Sequence, residues 1–589
     1  MNGPSVSWRK LLAIGAMLAL TVSACTQTTT TPSPTAAAAT ATPKPAARGQ
    51  GGELKILYWQ APTILNQNLS SGTKDFDAAR LITEQLGELG PDAKPVAQLA
   101  AEVPTVENGG VSKDFTTVTW KLKPGVKWSD GSAFTADDVV FTWQYVADEK
   151  TAAFTSDYAE GVKSVVAVDP TTVKITYANP NPNYYQFGAN CCGILQKAQF
   201  KDFLGEKAKD APGNLKPIGT GPYKVKEFKP GDVVTYEINE NFRDPNKPFF
   251  KSVQLKGGGD AASAARAVFQ TGDVDYAWNM QVEPAVLRAL VQGGKGELLT
   301  TYAGTFERLM FNFSDPNKEV NGQRSEKSTK HPFFSDKNVR QAFAMAVDRA
   351  TIAKELYGDG LTGKVTCNVI NGLPAFESKN TASMDVCKFD TAKANKILDD
   401  AGWVKGADGI RSKGGVRLKV LYQTTAANPV RAKTQDIIKK GWNAIGAEVE
   451  LKTVPSAVFF TPKTPDSANY FYADVQMFAS GTDPDPTTFL GEWLTRQIAQ
   501  KENNWGLKNY LRYSNPDYDK LIDVDLRNEL DPKKRSELGI KANDILVGDA
   551  VVIPIVNRAS TNDGRSKDLK GVKPNAWASS LWDVADWSK

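Results

Sequence analysis

The chain carries one histidine, His331, in 589 residues, together with five cysteines and 66 acidic side chains. A Ser-His-Asp triad would have to be built on that single imidazole, which stands between Lys330 and Pro332 in a polar stretch read as a loop. No Gly-x-Ser-x-Gly elbow is present to partner it. Zinc sites of the multi-histidine kind are excluded by the same count, no Cys-x-x-Cys spacing occurs, and no Gly-x-x-x-x-Gly-Lys-Ser/Thr loop is present to cradle ATP. Gly257, Gly259 and Ala262 follow a candidate strand, precede a candidate helix and have Asp275 at dinucleotide-fingerprint distance, but without a full βαβ alternation a glycine run is a weak signal. Carboxylate-pair chemistry, as in a secreted glycosidase, is the one enzymatic class left open. The sequence predicts a protein with no catalytic residue, no metal and no cofactor.

Binding chemistry has more positive content. Aromatic side chains cluster where candidate strands end: Tyr58 and Trp59, Tyr184 and Tyr185, Phe306, and Phe478. Such rings give large contact area at low entropic cost, as a cleft for mixed ligands requires, although any one of them is as readily a core residue. At 41% hydrophobic and 23% charged, with a formal net charge of +5, the composition is that of an ordinary globular protein. No basic block with interleaved aromatics marks a nucleic-acid surface.

The elements that must position these residues begin after an address. Arg9 and Lys10 precede a short apolar run over 11–20, which matches a secretory h-region and is too short to span a bilayer comfortably. Val22-Ser23-Ala24-Cys25 follows and resembles the lipobox of bacterial lipoproteins, so cleavage would fall before Cys25, whose thiol would carry a diacylglycerol. Residues 26–50 are Thr, Ala, Pro and Ser with almost no large apolar group and read as a tether. Of the remaining cysteines, Cys367 and Cys387 bracket a loop-like stretch whose closure would contribute on the order of 3 kcal/mol. Cys191 and Cys192 are adjacent, and their cross-pairing with the other two is the competing connectivity.

Between Val118 and Val146 the local signals agree with one another. Val118, Trp120 and Leu122 alternate as a half-buried strand, Pro124-Gly125 and Asp130-Gly131 are turns, and Thr135 with Asp138 reads as a capping box. Behind it Val139, Val140, Trp143 and Val146 form an apolar helical face. Elsewhere the spacing predicts a strand after Gly52, a helix over 77–89, strand pairs over 161–185 and 219–242, and a helix-to-strand unit over 437–454, with 544–557 finishing the pattern.

The run KLKPGVKWSDGSAFTADDVVFTW resembles the signature of the extracellular solute-binding proteins, family 5, of oligopeptide and dipeptide type, which serve ABC importers. The segments GTGPYKVKEFKPGDVVTYEINENF, LMFNFSD with VRQAFAMAVDRATIAKELYGDG, and DILVGDAVVIPIVN are similar to further family blocks, so the resemblance covers nearly all of 52–589. It implies an α/β, two-lobed, hinged periplasmic-binding-protein-like fold with an extra insertion domain. The expected divisions are a signal peptide over 1–24, the lipidated cysteine and tether over 25–51, lobe I from 52–88, 213–305 and 552–589, the insertion over 89–212, and lobe II over 306–551. It further implies a monomer outside the cytoplasm, anchored to the membrane through Cys25, that traps a peptide or other small solute and presents it to the permease and ATPase subunits.

In peptide-binding members an aspartate three residues before the acidic residue of an Asp-Pro or Glu-Pro turn pairs with the peptide amino group. With that turn at Asp485-Pro486, Thr482 stands at the anchor position and Asp483 is one residue off. A basic residue six positions before the anchor in some members is Gln476 here, and Arg308 could supply the missing cation. The resemblance therefore implies a ligand site around Tyr58, Trp59, Phe306, Arg308, Phe478, Thr482, Asp483 and Asp485. It favours a peptide-like or other polar solute without ionic anchoring at both ends, with a chelated metal or sugar as the alternative cargo.

Overall fold

The computed structural model describes residues 48–189, 191–461 and 464–589. Cys25 and the expected signal peptide, with most of the tether, lie outside the described residues. Beyond them, three hydrophobic cores organise the chain. The first surrounds a seven-stranded sheet in the order Gly296–Thr301, Thr561–Ser566, Tyr276–Ala277, Gly51–Tyr58, Phe250–Gly257, Val233–Ile238 and Tyr223–Lys229. Gly51–Tyr58 runs parallel to both of its neighbours, while the outer pairs are antiparallel. Apolar side chains such as Leu54, Ile56, Val253 and Leu255 are fully buried there.

The second core surrounds a six-stranded sheet in the order Gly363–Val365, Val552–Arg558, Phe306–Phe311, Val475–Ser480, Lys419–Thr425 and Glu448–Val454. The strand Val552–Arg558 thus belongs to this sheet, where it pairs with Phe306–Phe311, and not to the first lobe as the expected boundary at 552 had it. Its residues 552–556 are fully buried or nearly so, and the chain recrosses only at Ala559 and Ser560. The other crossing is 302–305. The two crossings are stitched together: Ser560 Oγ donates to Thr305 Oγ1 (2.8 Å), and Asn557 Nδ2 donates to the carbonyls of Ala303 (3.0 Å) and Thr305 (2.8 Å).

The third core, from Leu86 to Ala211, holds the antiparallel sheet Thr117–Lys121, Thr172–Tyr177 and Val162–Asp169. The helix Ala136–Ala147 packs on it behind the Thr135–Asp138 capping box. Asp138 does more than cap: its Oδ2 also accepts from the indole of Trp128 (3.2 Å) and its Oδ1 from the backbone N–H of Lys197 (2.9 Å). The buried face of this helix is Val139, Thr142, Tyr145 and Val146, whereas Val140 and Trp143 are only partly covered.

Two expectations are corrected. The helix over 77–89 is Thr73–Arg80 and ends there, because the carbonyls of Leu81 and Ile82 accept from the N–H groups of Tyr223 and Gly221. A Cβ on Gly219 would stand 2.0 Å from the Ile82 carbonyl oxygen, so the GTGPY bend needs glycine for this close approach. His331 does stand in an irregular segment ahead of the helix Lys337–Met345, but it is buried there and not part of a polar surface loop. It is 1% exposed, with Nε2 2.9 Å from Asp474 Oδ1 and Nδ1 accepting from the backbone N–H of Phe334 (2.9 Å). Both disulfides, Cys191–Cys192 and Cys367–Cys387, are formed. Among the described residues no helix is long and apolar enough to cross a membrane.

Candidate functional site

A cavity of about 390 Å³ opens between the two large sheets, where strands end. From the first lobe come Gln60 after the strand Gly51–Tyr58, Trp278 and Asn279 after Tyr276–Ala277, and Asp563. From the second come Arg308, and Phe478 to Gly481 at the end of Val475–Ser480. Phe154 and Tyr158 of the insertion domain complete a wall that also carries Glu492 and Lys508. A crevice beyond strand ends is where an α/β sheet leaves backbone groups and side chains free to meet a ligand.

The charges of this region are mostly paired. Glu307, fully buried beneath the wall, accepts from Arg431 (2.8 and 3.2 Å) and from Arg558 (3.0 Å). Burial pushes its carboxyl up, and the two guanidinium groups outweigh that and hold it below the usual range. Arg558 also donates to Asn279 Oδ1 (2.6 Å), tying the second sheet to the first beside the crossings. Lys508 Nζ donates to Asp157 (2.7 Å) and lies over the rings of Phe154 (4.6 Å) and Tyr158 (5.3 Å). Asp563 accepts from Tyr276 (2.5 Å) and from the N–H of Asn279 (2.7 Å). Arg308 is less well satisfied: its Nη2 reaches Glu492 only at 3.5 Å, while Phe478 and Trp493 flank the guanidinium at 5.3 and 5.5 Å. Burial lowers the pKa of Arg308 and raises that of Glu492, since this long contact does not replace the lost hydration.

Of the residues expected to form the site, Arg308 and Phe478 line the cavity. The others lie elsewhere, each for a physical reason. Tyr58 is buried in the first core, where it stacks on Trp278 and donates to Asp77 (2.8 Å). Trp59 sits behind the wall, its indole N–H on the carbonyl of Asn279 (2.8 Å). Phe306 faces the second core against Phe489. Thr482 packs against the crossing segment, where a Cβ on Gly304 would fall 1.9 Å from its Oγ1. Asp483 accepts from Tyr158 Oη (2.9 Å), and Asp485 accepts from Asn183 (2.7 Å) and pairs with Arg535. Gln476 is buried, donating to the carbonyl of Ala468 (3.2 Å). In the glycine-rich decoy, Asp275 pairs with Lys589 (2.5 Å) and accepts from the N–H of Lys55 (2.9 Å).

Sequence reasoning missed Tyr158, Trp278, Glu492 and Lys508. A legible signal existed for Glu492, a lone acid inside the apolar run 489–494, and for Lys508, a cation set among aromatic residues in NNWGLKNYL.

Residues 94–501 match the family described as bacterial extracellular solute-binding proteins, family 5. The chain belongs to that family. It is 26% identical over 493 residues to the oligopeptide-binding protein AppA of Bacillus subtilis, covering 83% of each chain. The solved structure of AppA in complex with a nonapeptide superposes with a TM-score of 0.77 at 23% identity, covering 92% of this chain and 99% of that one. NikZ from Campylobacter jejuni, in complex with Ni(L-His), is similar at a TM-score of 0.75 and 25% identity, over 91% and 99% of the two chains. The two-lobed periplasmic-binding architecture is thereby established for this family 5 member.

Proposed function

We propose that this solute-binding protein captures a peptide or peptide-like solute between its lobes outside the cytoplasm and presents it to the permease of an ABC importer, with no bond made or broken. The observation that carries the reading is the inter-lobe cavity, to which both sheets and the insertion domain contribute side chains. Its volume stands near the lower end of the roughly 300–1,000 Å³ typical of small-molecule sites. A solute touching both lobes stabilises the closed arrangement through its differential affinity for the two states.

Native mass spectrometry of the purified chain tests the cargo, and small-angle scattering with and without added short peptides tests the closure. A bound peptide-sized mass and a smaller radius of gyration with ligand are expected. A nickel–histidine chelate in place of a peptide would move the cargo to that of the similar NikZ, and an unchanged radius with every ligand found would overturn the trap. Lipid anchoring through Cys25 belongs to the same proposal: Cys25→Ser is expected to move the protein from the membrane fraction to the soluble extracytoplasmic fraction.

A further inference from the structure

Among the described residues of the cavity wall, Arg308 alone has buried side-chain polar atoms, Nε and Nη1, with no hydrogen-bond partner. The residue is 2% exposed, so bulk water does not serve those donors. A buried guanidinium left in this state is costly, since a charged donor gives up its hydration without replacement. Its geometry restricts what can repair the deficit. Phe478 and Trp493 lie against the guanidinium and Nη2 is directed at Glu492, so a new partner has to approach in the guanidinium plane as an acceptor.

The amine side of the cavity looks different. The position expected to anchor an ammonium, Thr482, faces Gly304 rather than the cavity, and neighbouring Asp483 accepts from Tyr158. The acids that do line the wall already face partners: Glu492 faces Arg308, and Asp563 accepts from Tyr276 and Asn279.

We propose that Arg308 is the receptor for a carboxylate of the cargo, and that the cavity selects compact organic acids by that end, with no ionic grip on an amine. The inference rests on the solute-binding reading above and narrows it to a class of solute. A carboxylate supplies planar, charged acceptors to donors that otherwise have none, and the aromatic wall formed by Phe154, Trp278, Phe460 and Phe478 suits the apolar remainder of such a molecule.

The test uses thermal stabilisation and calorimetric titration of the full mature chain with di- and tripeptides in free, N-acetylated and C-amidated forms, and with succinate and citrate. Free and N-acetylated acids are expected to bind alike, and C-amidation to weaken binding roughly 10- to 100-fold, the worth of a charge-assisted hydrogen bond. Arg308→Gln is expected to remove the difference between acid and amide, and Arg308→Lys to restore part of it. Equal binding of acids and amides by the wild type overturns the inference without recourse to any variant. So does a panel in which no free acid binds, whereas the solute-binding reading is then judged separately, by the mass of the ligand carried through purification. A carried ligand that is an acid but not a peptide supports Arg308 as receptor while removing peptide as the cargo.

Discussion

At the scale of single residues, the wall is held by buried charges whose partners are supplied by the fold. Glu307 neutralises two arginines from different elements, Arg431 at the start of the helix Pro429–Ala444 and Arg558 at the end of its strand. Glu307→Gln leaves both cations under-compensated in the interior, and equilibrium unfolding is expected to show a loss of about 3–5 kcal/mol. Asp77 behaves differently. Burial pushes its carboxyl up to about 7, well above the range it has in an unfolded chain, so the folded state binds its proton more tightly. The stability it contributes is complete below pH ~4 and is lost as pH rises through about 7, on the order of a few kcal/mol in all. Melting temperature is therefore expected to fall between pH 5 and pH 8, and Asp77→Asn to flatten that slope while keeping an acceptor for Tyr58.

The residue scale is also where the sequence was least legible. Phe306 and Phe478 are both aromatic and both sit near strand ends, yet one faces the core and the other the cavity. On a strand of the second sheet, covered on its two faces, alternation no longer tells inside from outside, because every residue of 306–311 is buried. Arg308 was legible as a charge inside an otherwise apolar run, whereas its partner Glu492 lies 184 positions away in sequence and no local pattern links the two.

Elements were read more reliably where every force acting on them is local. The capping box at Thr135, the turns at Gly125 and Gly131 and the helix behind them stand as expected, since caps and turns are decided within a few residues. The stretch 77–89 was misread because its carbonyls bond to a bend some 140 residues away, which apolar spacing does not reveal. Crossing segments show the same long-range dependence. In Gly304→Ala the new methyl meets Thr482 Oγ1 at 1.9 Å and the backbone nitrogen of Thr482 at 2.7 Å, and relief requires the crossing to shift. A loss of about 1–3 kcal/mol in stability is expected, with partial rescue by Thr482→Ala, which removes the hydroxyl but not the backbone clash. The bridge between Cys367 and Cys387 closes a loop of 20 residues, and its removal by paired Cys→Ser substitution should cost about 3 kcal/mol in a denaturant titration.

At the scale of the whole molecule, the insertion domain reaches across to the second lobe through a row of polar contacts. Glu160 accepts from Arg496, from Arg527 (2.9 Å) and from Gln497 (2.7 Å), with Asp523 holding both arginines from the other side. Asp157–Lys508, Tyr158–Asp483, Asn183–Asp485 and Gln186–Thr488 extend the row. Two of these side chains, Tyr158 and Lys508, also line the cavity, so a solute that orders them orders the clasp as well. Glu160→Ala is expected to weaken solute binding a few-fold in low salt and to matter less as salt is raised, because partly exposed ion pairs are screened. Titrations at two ionic strengths check this.

The first sheet has one further consequence, for the order in which the molecule can be assembled. The insertion domain and the second lobe are each nearly continuous in the chain, whereas the first lobe takes its strands from both ends of the described sequence. Its strand Thr561–Ser566 lies between Gly296–Thr301 and Tyr276–Ala277, so two early strands wait for a late one before they can join the same sheet. As the polypeptide folds, the insertion domain and the second lobe can condense while the first lobe stays open along that gap. Closure of the gap over so long a sequence separation is expected to make the first lobe the slow step of folding, and the inter-lobe cavity is complete only once it forms.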